Sequence, residues 1–422
     1  MEFFKNRIFN ADMDIQRAAF IWNMFAGLTS ALESVLFSMI VTRWIGLSGA
    51  GMVTIGFAAG NLMATIGKYG VRTFQVTDSK EEYAFASYLC ARIVTIGLMA
   101  AVSVIYILNG YGNNGYSVYK TIVVAMLCLK FVIEALDDVF AGECQRRGRL
   151  DAASRIFVIR SVHFMAVFAG VLFWSRHLVF SIGCALTVSI FLEFFLLKTV
   201  ISVMELTLWK QDFRPVREIL AKCFPLCLSA FCFFYLTNAP KYAIDAVMSD
   251  EVQACYSFIA FPVFAIELLN NFIYQPSLVR LADDWNQKHY RSVWQRIHRQ
   301  LLMIFGLTSM AVCGGYLCGI PVLSAVFATD LTDYKKEMLI LLCGGGLLAV
   351  IGYLSVILVT TRHAVFLISG YAAVSVLSSL LYKDVMISYG VEGGVILYCL
   401  LCLALILYEY TVTVVIFRKE CR

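Results

Sequence analysis

The sequence is poor in charge and in proline, and it lacks the compact motifs that handle nucleotides or catalytic metals. Only 15% of its 422 residues are Asp, Glu, Lys or Arg, where soluble domains carry about a quarter. No GxxxxGK occurs, which excludes a P-loop ATPase of the chain's own, and HExxH and GxSxG are missing too. No polar stretch is long enough to house an extramembrane catalytic domain, so an enzymatic reading has no motif to rest on. The first seventeen residues hold Lys5, Arg7, Asp12, Asp14 and Arg17 without a long apolar run, and no secretory signal is expected. All six prolines lie from Pro215 onward, which makes the second half the more deformable one. Fourteen cysteines are scattered mostly through apolar sequence. The pair Cys399 and Cys402 has CxxC spacing but neither a second pair nor a histidine. These cysteines read as small buried hydrophobes, with no metal site and no disulfide framework.

What remains is apolar. Hydrophobic residues make up 60% of the chain and mean hydropathy is +0.77, the composition of an integral membrane protein. The net charge of +5 is spread over loops and points to membrane orientation, not to nucleic acid. About twelve runs reach the roughly 20 residues needed to cross hydrocarbon. They lie near 18–41, 47–67, 86–108, 118–142, 155–175, 178–206, 223–247, 254–277, 300–326, 337–360, 363–382 and 391–417.

A polar, basic interruption near the middle organises these runs. It divides the chain into an interfacial arm (1–17), a six-helix bundle (18–206), a linker (207–222), a second six-helix bundle (223–417) and a tail (418–422). Phe3, Phe4, Ile8 and Phe9 are expected to lay the arm on the inner leaflet. Loops on the linker's side carry about 23 Lys and Arg against roughly 7 on the other, which places both termini in the cytoplasm of a cell (inner) membrane protein.

Charges inside the spans need reasons, because each costs roughly 2.5–3.5 kcal/mol at a helix centre. Asn238, Lys241 and Asp245 fall at i, i+3 and i+7 on one face of the seventh span. They read either as a Lys241–Asp245 pair near the outer boundary or as a cation lining a cavity with Asp245 holding it. Glu267, Asn270, Asn271, Tyr274 and Gln275 mark the eighth span, as polar helix packing or as a site. Asn23, Ser30, Glu33 and Ser34 stripe the first span, which ends at Arg43, a headgroup anchor or a cavity cation. The fourth span holds Lys130, Glu134, Asp137 and Asp138, and in the hairpin that follows Asp137 and Arg160 sit at similar depth, as an ion pair would. His163 reads as a packing residue. Gly56, Gly60 and Gly344–Gly346 read as places of close helix approach.

Several runs carry a resemblance over essentially the full length. In the first half they are Arg43-Trp-Ile-Gly46 with Gly49-Ala-Gly51, Ile66-Gly67-Lys68-Tyr-Gly70-Val-Arg72, and Gly142-Glu-Cys-Gln145-Arg146-Arg147-Gly-Arg149 with Ser154, Arg155 and Arg160. In the second they are Asn238-Ala-Pro-Lys241-Tyr-Ala-Ile-Asp245, Tyr256, Pro262 and Tyr274-Gln-Pro276-Ser-Leu-Val-Arg280. The chain resembles the polysaccharide-biosynthesis flippases of the multidrug/oligosaccharidyl-lipid/polysaccharide (MOP) exporter superfamily, the O-antigen and capsule type. The resemblance implies an all-α polytopic fold of two pseudosymmetric six-helix bundles around a cavity that opens alternately to either side. It implies as substrate a polyprenyl-diphosphate-linked oligosaccharide, with membrane lipids and glycan-assembly proteins as partners. Lys241 and Arg43 carry over as cavity cations, with Asn238 beside them and Arg160 as a further cation that an acid neutralises or leaves available. Acids at Glu33, Asp245 and Glu267 depart from a purely basic cavity. No cofactor is implied. Proton or sodium coupling stays open, with Asp245, Glu33 and Glu267 as the acids for it. The rival of the same fold is a cation-coupled multidrug antiporter. A major-facilitator transporter is disfavoured by the run from Lys68 to Gln75, which lacks that family's GxxxDRxGRR-like loop. A non-transporting scaffold or scramblase-like subunit is the alternative of another class.

Overall fold

Backbone polar groups in hydrocarbon must be satisfied within the segment that carries them, so long apolar runs become helices. The computed structural model describes residues 8–9, 14–78, 82–208, 214–274, 281, 283–285, 287–361, 363 and 365–420, leaving aside the side chains of 265, 267, 268 and 271–274. Its regular elements are helices throughout, and the chain is a multi-pass membrane protein. It divides into two compact units, Met1–Phe234 and Tyr235–Arg422.

The first unit holds α1 (Ile15–Trp44), α2 (Leu47–Lys68), a short α3 (Val71–Thr77), α4 (Phe85–Asn113), α5 (Val118–Arg146), α6 (Leu150–Ser175), α7 (Leu178–Met204) and the start of α8 (Arg214–Val247). The second holds the rest of α8, then α9 (Asp250–Tyr274), α10 (Tyr290–Gly314), α11 (Ile320–Phe327), α12 (Lys335–Thr360) and α13 (Val365–Glu420). Among the described residues 9 helices are long and apolar enough to cross a membrane. The charged α5 is not among them. With α5 and α9 added and α13 counted as two, the helices match the runs read from sequence.

Three boundaries differ from expectation, each for a local reason. The expected eleventh and twelfth spans run on as α13, broken at Gly390 (φ 63, ψ -155), a backbone geometry open essentially to glycine. The ninth span is not one regular helix, because a π-turn at Gly315–Gly319 joins α10 to α11. Such turns insert a residue and are frequent at functional sites. The third departure concerns the arm. Ile8 and Phe9 are buried in the first unit, with the Arg149 guanidinium donating to the Phe9 carbonyl at 2.7 Å, and do not lie on the leaflet. Phe3 and Phe4 lie outside the described residues.

Helix association in lipid depends on close packing, since lipid tails are as apolar as the side chains they would replace. The seam between α2 and α5 illustrates it. A Cβ on Gly56 would overlap Leu127, and one on Gly60 would overlap the Phe131 ring, so both glycines are fixed by contact with the helix opposite. Phe37 stacks on Phe168 at 3.7 Å and meets Phe57 edge-on at 5.3 Å, closing the seams around α1.

Candidate functional site

α5 is the axis of the first unit's chemistry. Lys130, Glu134, Asp137 and Asp138 share one face of it, as their spacing requires. Lys130 Nζ lies 2.9 Å from Glu33 of α1 and 2.5 Å from Glu134. Three phenyl rings enclose it, Phe131 at 4.5 Å, Phe57 at 5.4 Å and Phe164 at 5.7 Å. The ammonium is thus held by two carboxylates and by ring quadrupoles. One turn on, the Arg160 guanidinium of α6 donates to Asp137 at 2.9 Å and lies 3.6 Å from Glu193 of α7. Lower still, Asp138 takes Arg92 at 2.7 Å and Arg72 at 3.5 Å. Each acid of α5 therefore meets a cation from another turn or helix, the arrangement that a charged helix in lipid needs.

A cavity of about 230 Å³ opens beside this ladder. Asn23, Gly27 and Ser30 of α1, Lys68 and Arg72, Glu134, Asp137 and Asp138 of α5, and Ser154 and Arg160 of α6 line it. Its cations differ in availability. Arg160 is committed to Asp137, and Arg72 is shared between Asp138 and the Gln145 amide oxygen at 2.9 Å. Lys68, at the C-terminal end of α2 and half-buried, makes no salt bridge among the described residues. Among the cations lining the cavity it is the one outside the salt bridges of the described residues. Sequence reading left Lys68 in a loop, and the clue was its place two residues before Gly70, where the backbone turns left-handed (φ 71) into α3.

Asp78, just after α3 and in a polar loop of the sequence, organises the residues that lead into α4. The Asp78 carboxylate accepts from the Glu82 amide at 3.0 Å, the Tyr83 amide at 3.2 Å and the Tyr88 hydroxyl at 2.9 Å. Burial alone would raise its pKa, but these hydrogen bonds hold it below the usual carboxylate range. The Tyr83 hydroxyl in turn donates to Glu218 and accepts from Lys222, both at 2.9 Å, which ties the start of α8 to this loop.

In the second unit Asn238, Lys241 and Asp245 lie along α8. The expected Lys241–Asp245 pair does not form among the described residues. Lys241 makes no salt bridge there, and its ammonium stands 5.9 Å from the Phe264 ring. Asp245 is buried, and Asn238 is half-buried with its amide 3.3 Å from Thr237 Oγ1. Arg43 is exposed in the last turn of α1. The structure brings Glu33 and Arg160 into the ladder, where both are engaged, and keeps Arg43 apart from it within the first unit. The side chain of Glu267 and the residues 275–280 lie outside the described residues. Asp151, buried and bonded to Arg149 at 2.9 Å, escaped sequence reading, and so did Glu193 and Glu409, buried within the spans. The latter two each stand alone in an apolar run, and a lone acid implies a partner on another helix.

No protein-family model matches the chain, and no curated protein sequence does. Among solved structures it is similar to lipid II flippase MurJ in an inward closed conformation, with a TM-score of 0.68 at 12% identity over 95% of this chain and 89% of that one. It is equally similar to an inward-facing multidrug resistance MATE family transporter of the MOP superfamily, at TM-score 0.67 and 12% identity over 92% and 96%. The chain has the MOP-superfamily transporter fold. A MOP superfamily transporter from Pyrococcus furiosus, described as having a binding pocket of reversed polarity, shares this MOP fold at TM-score 0.59 and 12% identity over 97% of each chain. Fold is what these likenesses establish.

Proposed function

We propose that the chain is a flippase that carries a polyprenyl-diphosphate-linked oligosaccharide, an O-antigen, capsule or exopolysaccharide repeat unit, from the inner to the outer leaflet by alternating access. The observation that carries the reading is the cavity of about 230 Å³ in which Lys68 faces polar walls without an acid of its own. A diphosphate is met there by Lys68 and the edge of Arg72, while sugar hydroxyls, too costly to bring unpaired through hydrocarbon, meet Asn23, Ser30 and Ser154. Lys241 offers a second cation without a salt bridge, in the other unit, and Arg43 an exposed one. The fold shared with a lipid II flippase supports the reading. With the cytoplasm negative, outward movement of an anion is downhill by about 2.3 kcal/mol per charge per 100 mV.

Transport of a fluorescent polyprenyl-diphosphate oligosaccharide into proteoliposomes tests it. Lys68→Ala and Lys241→Ala are expected to lower transport at least tenfold with folding intact, and Arg43→Ala to lower it less. Wild-type transport untouched by all three would remove these cations from the path. Lack of wild-type transport under imposed gradients would favour the second reading, a cation-coupled multidrug antiporter. That reading draws on the acids Glu33, Glu134, Asp137 and Glu193 and on the fold shared with MATE transporters.

A further inference from the structure

Glu409 is fully buried in the last arm of α13, and nothing in the substrate path described above uses it. Its Oε1 lies 3.3 Å from Ser355 Oγ of α12, and Oε2 has no hydrogen-bond partner among the described residues. Ser355 Oγ also lies 2.7 Å from the Tyr371 hydroxyl and 2.7 Å from the Ile351 carbonyl. The charged groups nearby are engaged elsewhere or missing. On α12 the facing group is Ser355, and on the first arm of α13 it is Tyr371. On its own arm Tyr408 is bonded to Ser369 at 2.7 Å and Tyr410 packs on Trp294. From α10, which packs on α12, Arg296 is held by Asp284 at 2.8 Å.

The donors and charges around the carboxyl bear on its form. A serine hydroxyl has one hydrogen to give and two lone pairs to fill. That one hydrogen is within reach of both the Ile351 carbonyl and Glu409 Oε1, and the Tyr371 hydroxyl is the other donor beside the carboxyl. The carboxyl is fully buried, makes no salt bridge among the described residues, and has an Oε2 that no donor there reaches, surroundings that favour the neutral acid. The ionised form would leave a charge between packed helices with two hydroxyls and, among the described residues, no cation to solvate it.

We propose that Glu409, Ser355 and Tyr371 form a proton-binding site between α12 and the two arms of α13, and that its proton is given up and retaken during the transport cycle. The bound ligand is a single proton on the Glu409 carboxyl. Its departure leaves a carboxylate that must gain water or hydroxyl donors, so the packing of Ser355 and Tyr371 against it has to open. This site names a coupling group for whichever solute the chain carries, and it adds to the substrate reading without resting on it.

The test is infrared difference spectroscopy of the full chain in lipid nanodiscs, titrated from acid to alkaline pH. Wild type is expected to show a protonated-carboxyl C=O band, sensitive to deuteration and lost at alkaline pH, that Glu409→Gln lacks. Ser355→Ala, which keeps the carboxyl, is expected to move that band towards the frequency of a less hydrogen-bonded acid. Identical carboxyl bands in wild type and Glu409→Gln would overturn the proposal, and so would a band unmoved in Ser355→Ala. Because this readout needs no solute, its failure is distinct from failure of the flippase reading. In a transport assay Glu409→Gln is expected to flatten the pH dependence of the rate, and a pH profile parallel to wild type would count against the site.

Discussion

Lys130 is the residue on which the ladder turns. Its ammonium stands between Glu33 and Glu134, and no other cation is near enough to replace it among the salt bridges of the described residues. Replacing a buried pair with apolar groups is often neutral, whereas removing one partner costs about 3–5 kcal/mol. Lys130→Met is therefore expected to lower stability by about that amount, and the triple change with Glu33→Gln and Glu134→Gln to recover most of it, as read by thermal unfolding in micelles. Equal loss in both would assign Lys130 to ring packing alone. Asp78 gives a pH signature at the same scale. Because its folded-state pKa is held low, its contribution is complete above the unfolded value and is lost as pH falls through the lower folded one. Hydrogen exchange at the Tyr83 amide is expected to quicken on the acid side in wild type, beyond its intrinsic pH dependence, and Asp78→Asn to remove that step. The face carrying Lys130 and Asp137, and the Asp137–Arg160 pair, were legible in sequence from helical spacing and the hairpin. Lys68 was not, because its value comes from what fails to approach it.

Among elements, α13 makes the clearest demand on one residue. Its two arms are joined at Gly390, whose conformation a side chain resists. Gly390→Ala is expected to cost on the order of 1–3 kcal/mol, measurable as a lowered unfolding midpoint, with no comparable loss for Gly97→Ala, where a Cβ meets open space. The extents of most helices were readable from apolar runs and turn signals, since hydrocarbon dictates both. The π-turn after α10 was not, because a glycine pair inside an apolar run reads the same for an α-turn as for a wider one. The fate of Ile8 and Phe9 was hidden for a related reason. Four apolar residues beside charges describe equally an arm laid on lipid and one received by a bundle.

For the whole molecule, composition and apolar runs identified a polytopic helical membrane protein before any coordinate was known, and the fold shared with solved structures at 12% identity bears out that architecture. Substrate was less legible. Charges that cancel in pairs leave little net trace in a sequence, and pairing is a property of folded neighbours. If the proposed solute is anionic, transport should respond to voltage. An inside-negative potential is expected to speed outward movement and an inside-positive one to slow it, by up to about 2.3 kcal/mol per charge per 100 mV, read as initial rates in potassium-clamped proteoliposomes. Rates indifferent to the sign of the potential would mean that the solute crosses with its charge compensated.

The polarity of α5 also has a consequence for biosynthesis. This helix fails the composition test that its neighbours pass, so a translocon reading one segment at a time has little reason to release it into lipid. When Lys130 emerges from the ribosome, Glu33 is already in place on α1, but Arg160, the partner of Asp137, has yet to be made. α5 is therefore expected to wait at the exit until α6 arrives and to enter the bilayer with it as one hairpin, and α5 expressed without α6 is expected to insert poorly in a glycosylation-mapping assay.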